Sequence, residues 1–159
     1  RDPAPGQCGL SHTRSMSLTE AEALERLHAA NHGVLGTLHA GRGVDMTPIV
    51  YATDGLVLGS PIDRVKLKSS LRLQRERNLE TDGRATLLVE HWDPVDWSKL
   101  WWVRAELRWL GDESPHTEAL SQRLAASVEQ YRDEPFASIL TFEIVRATGW
   151  SATGSGSTS

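Results

Sequence analysis

The chain has 159 residues, of which 39% are hydrophobic and 24% are charged, as is usual for one folded domain. A domain of this length removes roughly 70% of its unfolded surface from water, so it needs no metal or disulfide for stability. The formal net charge of −4 excludes a surface that is basic throughout, so any site for a polyanion must be local. The single cysteine, Cys8, excludes an intrachain disulfide framework and every cysteine-rich metal motif.

The termini and the cysteine content also bear on the compartment. One cysteine suits a reducing environment, so we expect a cytoplasmic protein. No apolar run approaches the roughly 18 residues of a membrane helix, and residues 1–15 lack the apolar stretch of a signal peptide. Residues 1–15 and 153–159 have no hydrophobic period, and we predict that they are flexible extensions of one folded domain spanning residues 16–152.

The first part of the domain has the pattern of one helix followed by strands. Thr19 and Glu22 have the spacing of a capping box, which predicts a helix over residues 20–31. The Asp54-Gly55 dipeptide predicts a hairpin turn, because glycine readily adopts the positive φ that a two-residue loop requires. Three glycine-separated segments rich in β-branched residues predict a three-stranded meander: residues 34–40, 43–53 and 56–60.

A second helix and a central strand are predicted next. Ser69 or Ser70 is the expected N-cap of a helix that runs to about Asn78. The continuous apolar run over residues 85–89 is typical of a strand that is buried on both faces.

The last part of the domain has a clear amphipathic strand. Apolar and polar residues alternate over residues 99–110, which predicts that Trp101 and Trp109 lie on the core face. Ser114-Pro115 is the expected start of a third helix, and residues 138–147 are the expected last strand.

The order of these elements indicates the fold class. It is not the alternation of strand and helix that forms a parallel sheet. Short hairpin connections favour an antiparallel sheet of six to seven strands that closes or nearly closes on itself, since closure removes exposed edges. The sequence therefore predicts a mainly β (α+β) protein, a small barrel with peripheral helices.

The common catalytic signatures are absent from the chain. It has no G-x-S-x-G nucleophile elbow, no phosphate loop of the G-x-x-x-x-G-K type and no H-E-x-x-H zinc motif. His28 and His32 are four residues apart, but no third ligand has a diagnostic spacing, so we interpret them as surface histidines and predict no metal site. We also find no acid and base pair, and we assign no catalytic residue.

A basic segment stands out against the acidic chain. Residues 64–79 contain six basic residues and one acidic residue, so they carry +5 while the rest of the chain carries −9. Cations before a helix N-terminus suit a phosphate ester, and we favour that role for Lys66 and Lys68. The arginines at 72, 75 and 77 are interpreted as a solvated helix face. Aromatic residues do not interleave with this segment, which argues against a nucleic-acid site.

Tryptophans form a second unusual group. Five of the six lie within residues 92–109. Core packing accounts for Trp101 and Trp109, which share the apolar face of their strand. Trp97 and Trp102 do not fit that face, so each is predicted to line a subunit contact or to stack on a planar ligand.

Four strings in the sequence resemble those of a known family: V-K-L-K-S-S-L-R-L-Q-R-E-R-N-L (65–79), R-A-T-L-L-V-E-H-W (84–92), D-W-S-K-L-W-W-V-R-A (96–105) and G-W-S-A (149–152). From about Leu18 to Ala152 the chain resembles the pyridoxamine 5'-phosphate oxidase-like split β-barrel proteins of actinobacteria. Within them it is most similar to the branch of oxidoreductases that use coenzyme F-420, a deazaflavin. It departs from that branch at Leu67, where proline is common, and after Arg104, where the usual Asp-Gly is missing. Neither change removes a ligand side chain.

The resemblance implies a homodimer with FMN or a deazaflavin between two split barrels. It implies that the cofactor phosphate is held by Ser60, Lys66, Lys68 and Ser69. It implies that the ring is lined by Thr47, Pro48 and Val50. It also implies that a second region faces the ring or comes from the partner subunit: Trp97, Trp102 and Arg104.

These observations lead to one main hypothesis about function. We expect an oxidoreductase in which F-420 transfers hydride to a small organic substrate, because the cofactor carries the difficult chemistry and the protein needs only to bind and orient it. One alternative is an FMN-dependent oxidase or flavin reductase on the same fold. Another is a carrier that binds the cofactor without turnover. We expect neither a nucleic acid nor a membrane as a partner.

Overall fold

The computed structural model describes residues 16–63, 72–111, 114–133 and 136–153. Three helices and eight strands occur in this part of the chain. The helices are α1 (Glu20–Ala29), α2 (Gln74–Thr81) and α3 (Thr117–Ser127). The strands are β1 (Met16–Ser17), β2 (His32–His39), β3 (Gly43–Val50), β4 (Ala52–Asp54), β5 (Val57–Asp63), β6 (Arg84–His91), β7 (Trp101–Trp109) and β8 (Phe136–Ser151). No helix in these ranges has the length and apolar character needed to cross a bilayer.

All the strands belong to one antiparallel sheet, in the order β3-β2-β6-β7-β8-β5-β4, and β1 pairs with β8. β3 and β4 lie at opposite ends of this order, although only Tyr51 separates them in the chain. The sheet therefore curls until its two ends approach each other, and β3 contacts β5 across the seam. This confirms the predicted split β-barrel with peripheral helices.

The predicted meander is wrong at Tyr51. The segment expected to form one strand over residues 43–53 is divided there, so that β3 pairs with β2 while β4 pairs with β5. Tyr51 is fully buried, and its hydroxyl donates a hydrogen bond to the Leu27 carbonyl oxygen of α1 at 2.8 Å. The predicted turn after Asp54 is confirmed, because Gly55 opens the two-residue loop with a φ of 59°.

The buried apolar residues of the described chain form two clusters. The larger cluster fills the barrel, where side chains of the strands meet Leu27 of α1 and Leu79 of α2. The smaller cluster lies between the outside of the sheet and α3, and consists of Ala52, Leu120, Leu124 and Ile139. α3 therefore covers one side of the barrel.

The helix starts were predicted with mixed success. In α1 the capping box is confirmed, since the Glu22 N–H donates to Thr19 Oγ1 and the Thr19 N–H donates to the Glu22 carboxylate. The predicted cap of α2 at Ser69 or Ser70 is wrong, because Leu73 is the N-cap and its N–H donates to the Glu76 carboxylate at 2.7 Å. The Glu76 carboxylate thus satisfies the N–H of the N-cap residue, which is the second half of a capping box, while no N-cap side chain caps the helix.

The third helix also begins later than predicted. Its N-cap is His116, and Ser114 lies in the turn before it, where its backbone oxygen accepts a hydrogen bond from the Thr117 N–H. Leu120 and Leu124 of this helix are fully buried.

The alternation predicted for β7 is confirmed. Val103, Ala105 and Leu107 are buried, whereas Arg104 and Arg108 are exposed. β8 is longer than predicted and contains a bulge, because Glu106 pairs with Arg146 and Leu107 pairs with Ile144. The extra residue, Val145, changes which positions of β8 face the core on either side of it.

Candidate functional site

Barrel closure brings together two of the strands that were predicted to bind a cofactor. Thr47, Pro48 and Val50 belong to β3, and Ser60 belongs to β5. β3 and β5 are not paired in the sheet, but they contact each other across the seam. The structure therefore places the predicted ring-lining strand beside the strand that leads into the basic segment.

The three predicted residues of β3 do not share one face. Pro48 is exposed on the outside of the sheet. Val50, two residues further along, points to the same side, where it packs against the cluster beneath α3. Thr47 alternates with Pro48 and is directed to the interior like Ile49. Of the three predicted residues, only Pro48 and Val50 thus lie on the outside of β3.

The predicted phosphate ligands are tested only in part. Ser60 is 1% exposed and lies on the strand face that carries the core residues Leu58 and Ile62. The Ser60 side chain is therefore closed to a phosphate that approaches from solvent. The other three predicted ligands lie outside the described residues, so their role stays a prediction: Lys66, Lys68 and Ser69.

The second predicted group surrounds β7 and lies away from the core, as expected. Trp102 is 37% exposed on the outer side of β7, and Arg104 is exposed two residues further along. Trp97 is 64% exposed in a single 3-10 turn, Trp97–Lys99, where its ring is 6.0 Å from that of Trp92. Neither tryptophan contributes to core packing.

The strand register connects the two groups along a single row. Val34 of β2 lies opposite Pro48 of β3 and opposite Leu88 of β6, and Leu88 lies opposite Arg104 of β7. Pro48 and Arg104 are therefore separated by two intervening strands, or roughly 14 Å along the sheet. The predicted residues on the outer face thus form two separate groups, Pro48 with Val50 and Trp102 with Arg104, rather than one pocket.

The outer face of the sheet is formed by β3, β2, β6, β7 and the second half of β8, and it is open. It is largely apolar along β2 and β3 and carries charged side chains along β6 and β7. Val44, Met46 and Val145 are each more than half exposed on it. A groove of about 320 Å³ crosses the face, and its lining comes entirely from strands. Sequence reasoning missed the groove, which depends on Gly36 having no side chain beside Val44.

Two arginines lie at the rim of this groove. Arg84 makes a bidentate ion pair with Asp82, and its hydrogen bonds lower the pKa of Asp82 to about 2. Arg108 lies opposite Arg84 across the β6–β7 pair. The carboxylate of Glu106 also lines the groove, so the groove carries charges of both signs at this rim.

Hydrogen bonds fix the loop that carries the exposed tryptophans. The carboxylate of Asp93 accepts from the N–H groups of Val95 and Asp96, both at 2.9 Å, and the Lys99 ammonium lies 3.6 Å from it. These contacts, with the backbone hydrogen bond from Asp96 the largest, lower the pKa of Asp93. The loop therefore holds Trp92 and Trp97 in place although both are exposed.

Asn78 is a buried polar residue whose role the sequence did not reveal. It is 3% exposed, and its side-chain amide donates to Thr37 Oγ1 at 3.0 Å and to Asp45 Oδ2 at 2.9 Å. Its carbonyl accepts from the Gln74 amide at 2.8 Å. One side chain thus joins α2 to β2 and β3 at the end of the barrel. The Asn78-Leu79 pair carried part of the resemblance, but nothing in the sequence indicated these partners.

Of the two histidines that were considered as metal ligands, His28 makes a hydrogen bond with a threonine. His28 Nδ1 lies 2.8 Å from the Thr53 hydroxyl, and both His28 and His32 are exposed. Within the residues that the structure describes, no three metal-binding side chains are grouped together.

The fold and its open face define a split β-barrel of a kind found in solved flavin-binding proteins. A FAD-binding protein from Mesorhizobium loti is similar with a TM-score of 0.64 and 16% identity, over 86% of this chain and 96% of that chain. An FMN-binding protein from Syntrophomonas wolfei is similar with a TM-score of 0.57 and 16% identity, over 82% and 83%. A candidate pyridoxamine 5'-phosphate oxidase from Corynebacterium glutamicum is similar with a TM-score of 0.55 and 16% identity, over 88% and 95%.

At these identities the similarity establishes the fold alone. No protein-family profile matches the chain, and no curated protein matches it.

Proposed function

We propose that this protein is an oxidoreductase that binds a flavin-type cofactor on the outer face of its barrel. The observation that carries the proposal is the open outer face, which is largely apolar around Pro48 and bears Trp102 and Arg104 on β7. A planar ring needs such a surface, because burial of apolar area drives its binding while a few polar groups fix its orientation. Proteins that bind FAD or FMN have the same fold.

The cofactor that we favour is FMN, with the deazaflavin F-420 as the second candidate. The structural similarity to FMN- and FAD-binding proteins supports FMN. The resemblance of the strings at residues 65–79 and 96–105 supports F-420. Both cofactors combine a tricyclic ring with a phosphate, so both suit an apolar face next to a basic segment. Residues 16–152 are the proposed cofactor-binding domain.

The chemistry of the outer face fits a ring of this type. Val34 and Leu88 provide apolar contact in the middle of the row, and Arg104 ends it with a cation. The guanidinium of Arg104 is exposed at this end of the row, so it can donate hydrogen bonds to the polar edge of a ring.

In this proposal the cofactor supplies hydride transfer when it is bound. The residues of the chain bind and orient it. The apolar row excludes water from one face of the ring, and Arg104 fixes the polar edge. No acid or base of the chain is required.

A titration with FMN and F-420 in parallel tests the proposal. We expect saturable calorimetric binding of at least one cofactor, and weaker binding after Arg104→Gln. Arg132→Gln serves as the control, because Arg132 is exposed beside α3 and pairs only locally with Glu129. Absence of binding of both cofactors at about 100 μM would overturn the proposal. Binding without turnover of the reduced cofactor with unsaturated or quinone-like acceptors would favour the carrier instead.

We also propose that a second copy of the chain covers part of the outer face. Trp102 lies opposite Trp150 at one end of this face, close to the fixed loop that exposes Trp92 and Trp97. Exposed aromatic side chains that are grouped in this way are typical of interfaces. Light scattering should show a dimer at micromolar concentration, and Trp102→Ala should weaken it. A monomer in the unaltered protein would contradict this part of the proposal.

A further inference from the structure

A second groove lies on the other side of the barrel, at the free edge of β4. We call it the edge groove. It has a volume of about 280 Å³ and lies between the C-terminal end of α1, the strand β4 and the helix α3. Its lining shares no residue with the groove of the outer face.

Two nitrogen-bearing side chains in the edge groove are held in place by consecutive residues of β4. Thr53 bonds to His28 Nδ1 at 2.8 Å, so the imidazole of α1 has a fixed orientation and its other nitrogen remains available. Asp54 accepts from Arg123 Nη2 at 3.1 Å, and His116 lies 3.4 Å from the same carboxylate. Asp54 occupies one of the five N–H donors of Arg123, which leaves others for a ligand.

The rest of the lining leaves space for an apolar group. Ala29, Ala30, Ala52 and Ala126 are the small side chains that surround the two donors. Tyr51 also borders the groove, and its hydroxyl is already bonded to Leu27, so this wall is rigid. The groove therefore combines two oriented donors with a small apolar surface, which is the composition of a ligand site.

From this arrangement we infer that the edge groove binds a small monocarboxylate with an apolar body. Arg123 matches a carboxylate through its planar N–H groups, and His28 Nε2 adds a second donor in the tautomer whose Nδ1 accepts from the Thr53 hydroxyl. Asp54 and the carbonyl groups at the C-terminal end of α1 place negative charge behind these donors. That charge disfavours a dianion such as a phosphate monoester, so the site differs in chemistry from the proposed cofactor site.

Benzoate is a suitable probe, because it combines one carboxylate with one flat apolar ring. In a two-dimensional NMR titration of the whole chain we expect saturable shifts of the Thr53 and Ala126 amides, with a dissociation constant of about 1 mM. Benzamide has the same shape without the charge, and phenyl phosphate carries a second charge, so both should bind at least several-fold more weakly.

Two variants test the role of the lining. Arg123→Gln should weaken benzoate binding about tenfold or more, since it removes a charged hydrogen bond. Arg132→Gln is the matched control, because it is also an exposed arginine with one carboxylate partner at 3.0 Å, and it should leave the affinity unchanged. Ala126→Leu should block the groove, because position 126 lies on the surface of α3, where leucine is a good helix former.

Three outcomes would overturn the inference. They are the absence of saturable shifts at these amides up to about 10 mM benzoate, equal binding of benzamide, and equal effects of Arg123→Gln and Arg132→Gln.

Discussion

The amide of Asn78 in α2 donates a 2.9 Å hydrogen bond to the carboxylate of Asp45 in β3. This contact lowers the pKa of Asp45, and the Arg42 side chain lowers it further. It also ties the helix at the end of the basic segment to the strand that carries Thr47 and Pro48. One buried side chain therefore fixes the position of α2 against the strand that is proposed to line the ring.

Replacement of Asn78 by aspartate should strongly destabilise the protein. In Asn78→Asp a second carboxylate faces Asp45, and the buried donor is lost, so we expect a loss of about 2–4 kcal/mol at pH 7. The loss should shrink toward pH 4, because protonation of one carboxyl restores a donor. Urea denaturation measures both effects. Gln122→Glu is the control, since Gln122 makes a similar 2.9 Å bond to Glu118 on the exposed side of α3 and should cost under about 1 kcal/mol. Equal losses in both variants would contradict the importance of the buried contact.

Asp82 should show an unusually low pKa. Its hydrogen bonds from Arg84 lower the pKa from the ordinary 3.8 to about 2. Because the folded state has the lower pKa, the contribution of this pair to stability is present above pH 3.8 and is lost as the pH falls toward about 2. Carbon-13 NMR titration of the carboxyl group measures the pKa directly. In Arg84→Gln it should return toward 3.8; a value near 3.8 in the unaltered protein would refute the assignment.

Trp109 should tolerate phenylalanine unusually well. Its indole nitrogen is buried without a hydrogen-bond partner, which costs roughly 1–3 kcal/mol. Removal of that N–H in Trp109→Phe offsets the lost packing, so we expect a change in unfolding free energy within about 1 kcal/mol. Trp101 at the other end of β7 provides the comparison, because its ring lies 4.9 Å beneath the Arg26 guanidinium and stacks on His91. Trp101→Phe should cost more, and the reverse order would contradict this argument.

Gly59 should not accept a side chain. A Cβ at this position would lie 2.8 Å from Leu120 Cδ1 and 2.9 Å from Ile139 Cγ2, beneath α3. Gly59→Ala should therefore cost about 1–3 kcal/mol in thermal or chemical unfolding. Gly41→Ala is the matched control, since its Cβ would meet only the His39 ring at an ordinary 3.6 Å. It should change stability by no more than about 1 kcal/mol. Comparable losses would show that α3 does not pack closely on β5.

Lys68 is predicted from the sequence to bind the cofactor phosphate. Lys68→Ala should raise the dissociation constant of the cofactor about ten- to a hundredfold and leave the melting temperature of the unliganded protein nearly unchanged. Arg77 serves as the control, because it is exposed on α2. Arg75 does not serve, because it is half-buried, and the solvated helix face predicted for it is wrong at this position. Arg77→Ala should leave the affinity within about threefold. A larger effect at Arg77 than at Lys68, measured by calorimetry, would move the phosphate site further along the helix.

Local signals in the sequence predicted what depends on local interactions. The capping box of Thr19 and the alternation of β7 follow from contacts between neighbouring residues, and both are confirmed. The division of the strand at Tyr51 and the bulge at Val145 do not follow from such local contacts, because they arise where distant elements pack together.

The same distinction applies to the candidate sites. Alternation along β7 showed that Trp102 does not belong to the core, so an aromatic surface could be predicted. The edge groove could not be predicted from the sequence, since His28 and Arg123 come together only through the fold. For Ser60 the family resemblance suggested a ligand, whereas its burial depends on the closure of the barrel.

The pairing of β5 with β8 has a consequence for how the chain folds. Val57 lies opposite Glu143, so this pair joins residues 86 positions apart, whereas β2 with β3 and β6 with β7 are neighbouring strands in the chain. Distant pairings form late, because the entropy of closing a long loop is lost before the stabilising contacts between the strands are made. We expect the local hairpins β2–β3, β4–β5 and β6–β7 to form early and the β5–β8 ladder to limit the rate, with refolding on the millisecond-to-second scale. Until that step, the hairpin of β4 and β5 exposes an unpaired edge, and refolding at high protein concentration should compete with aggregation.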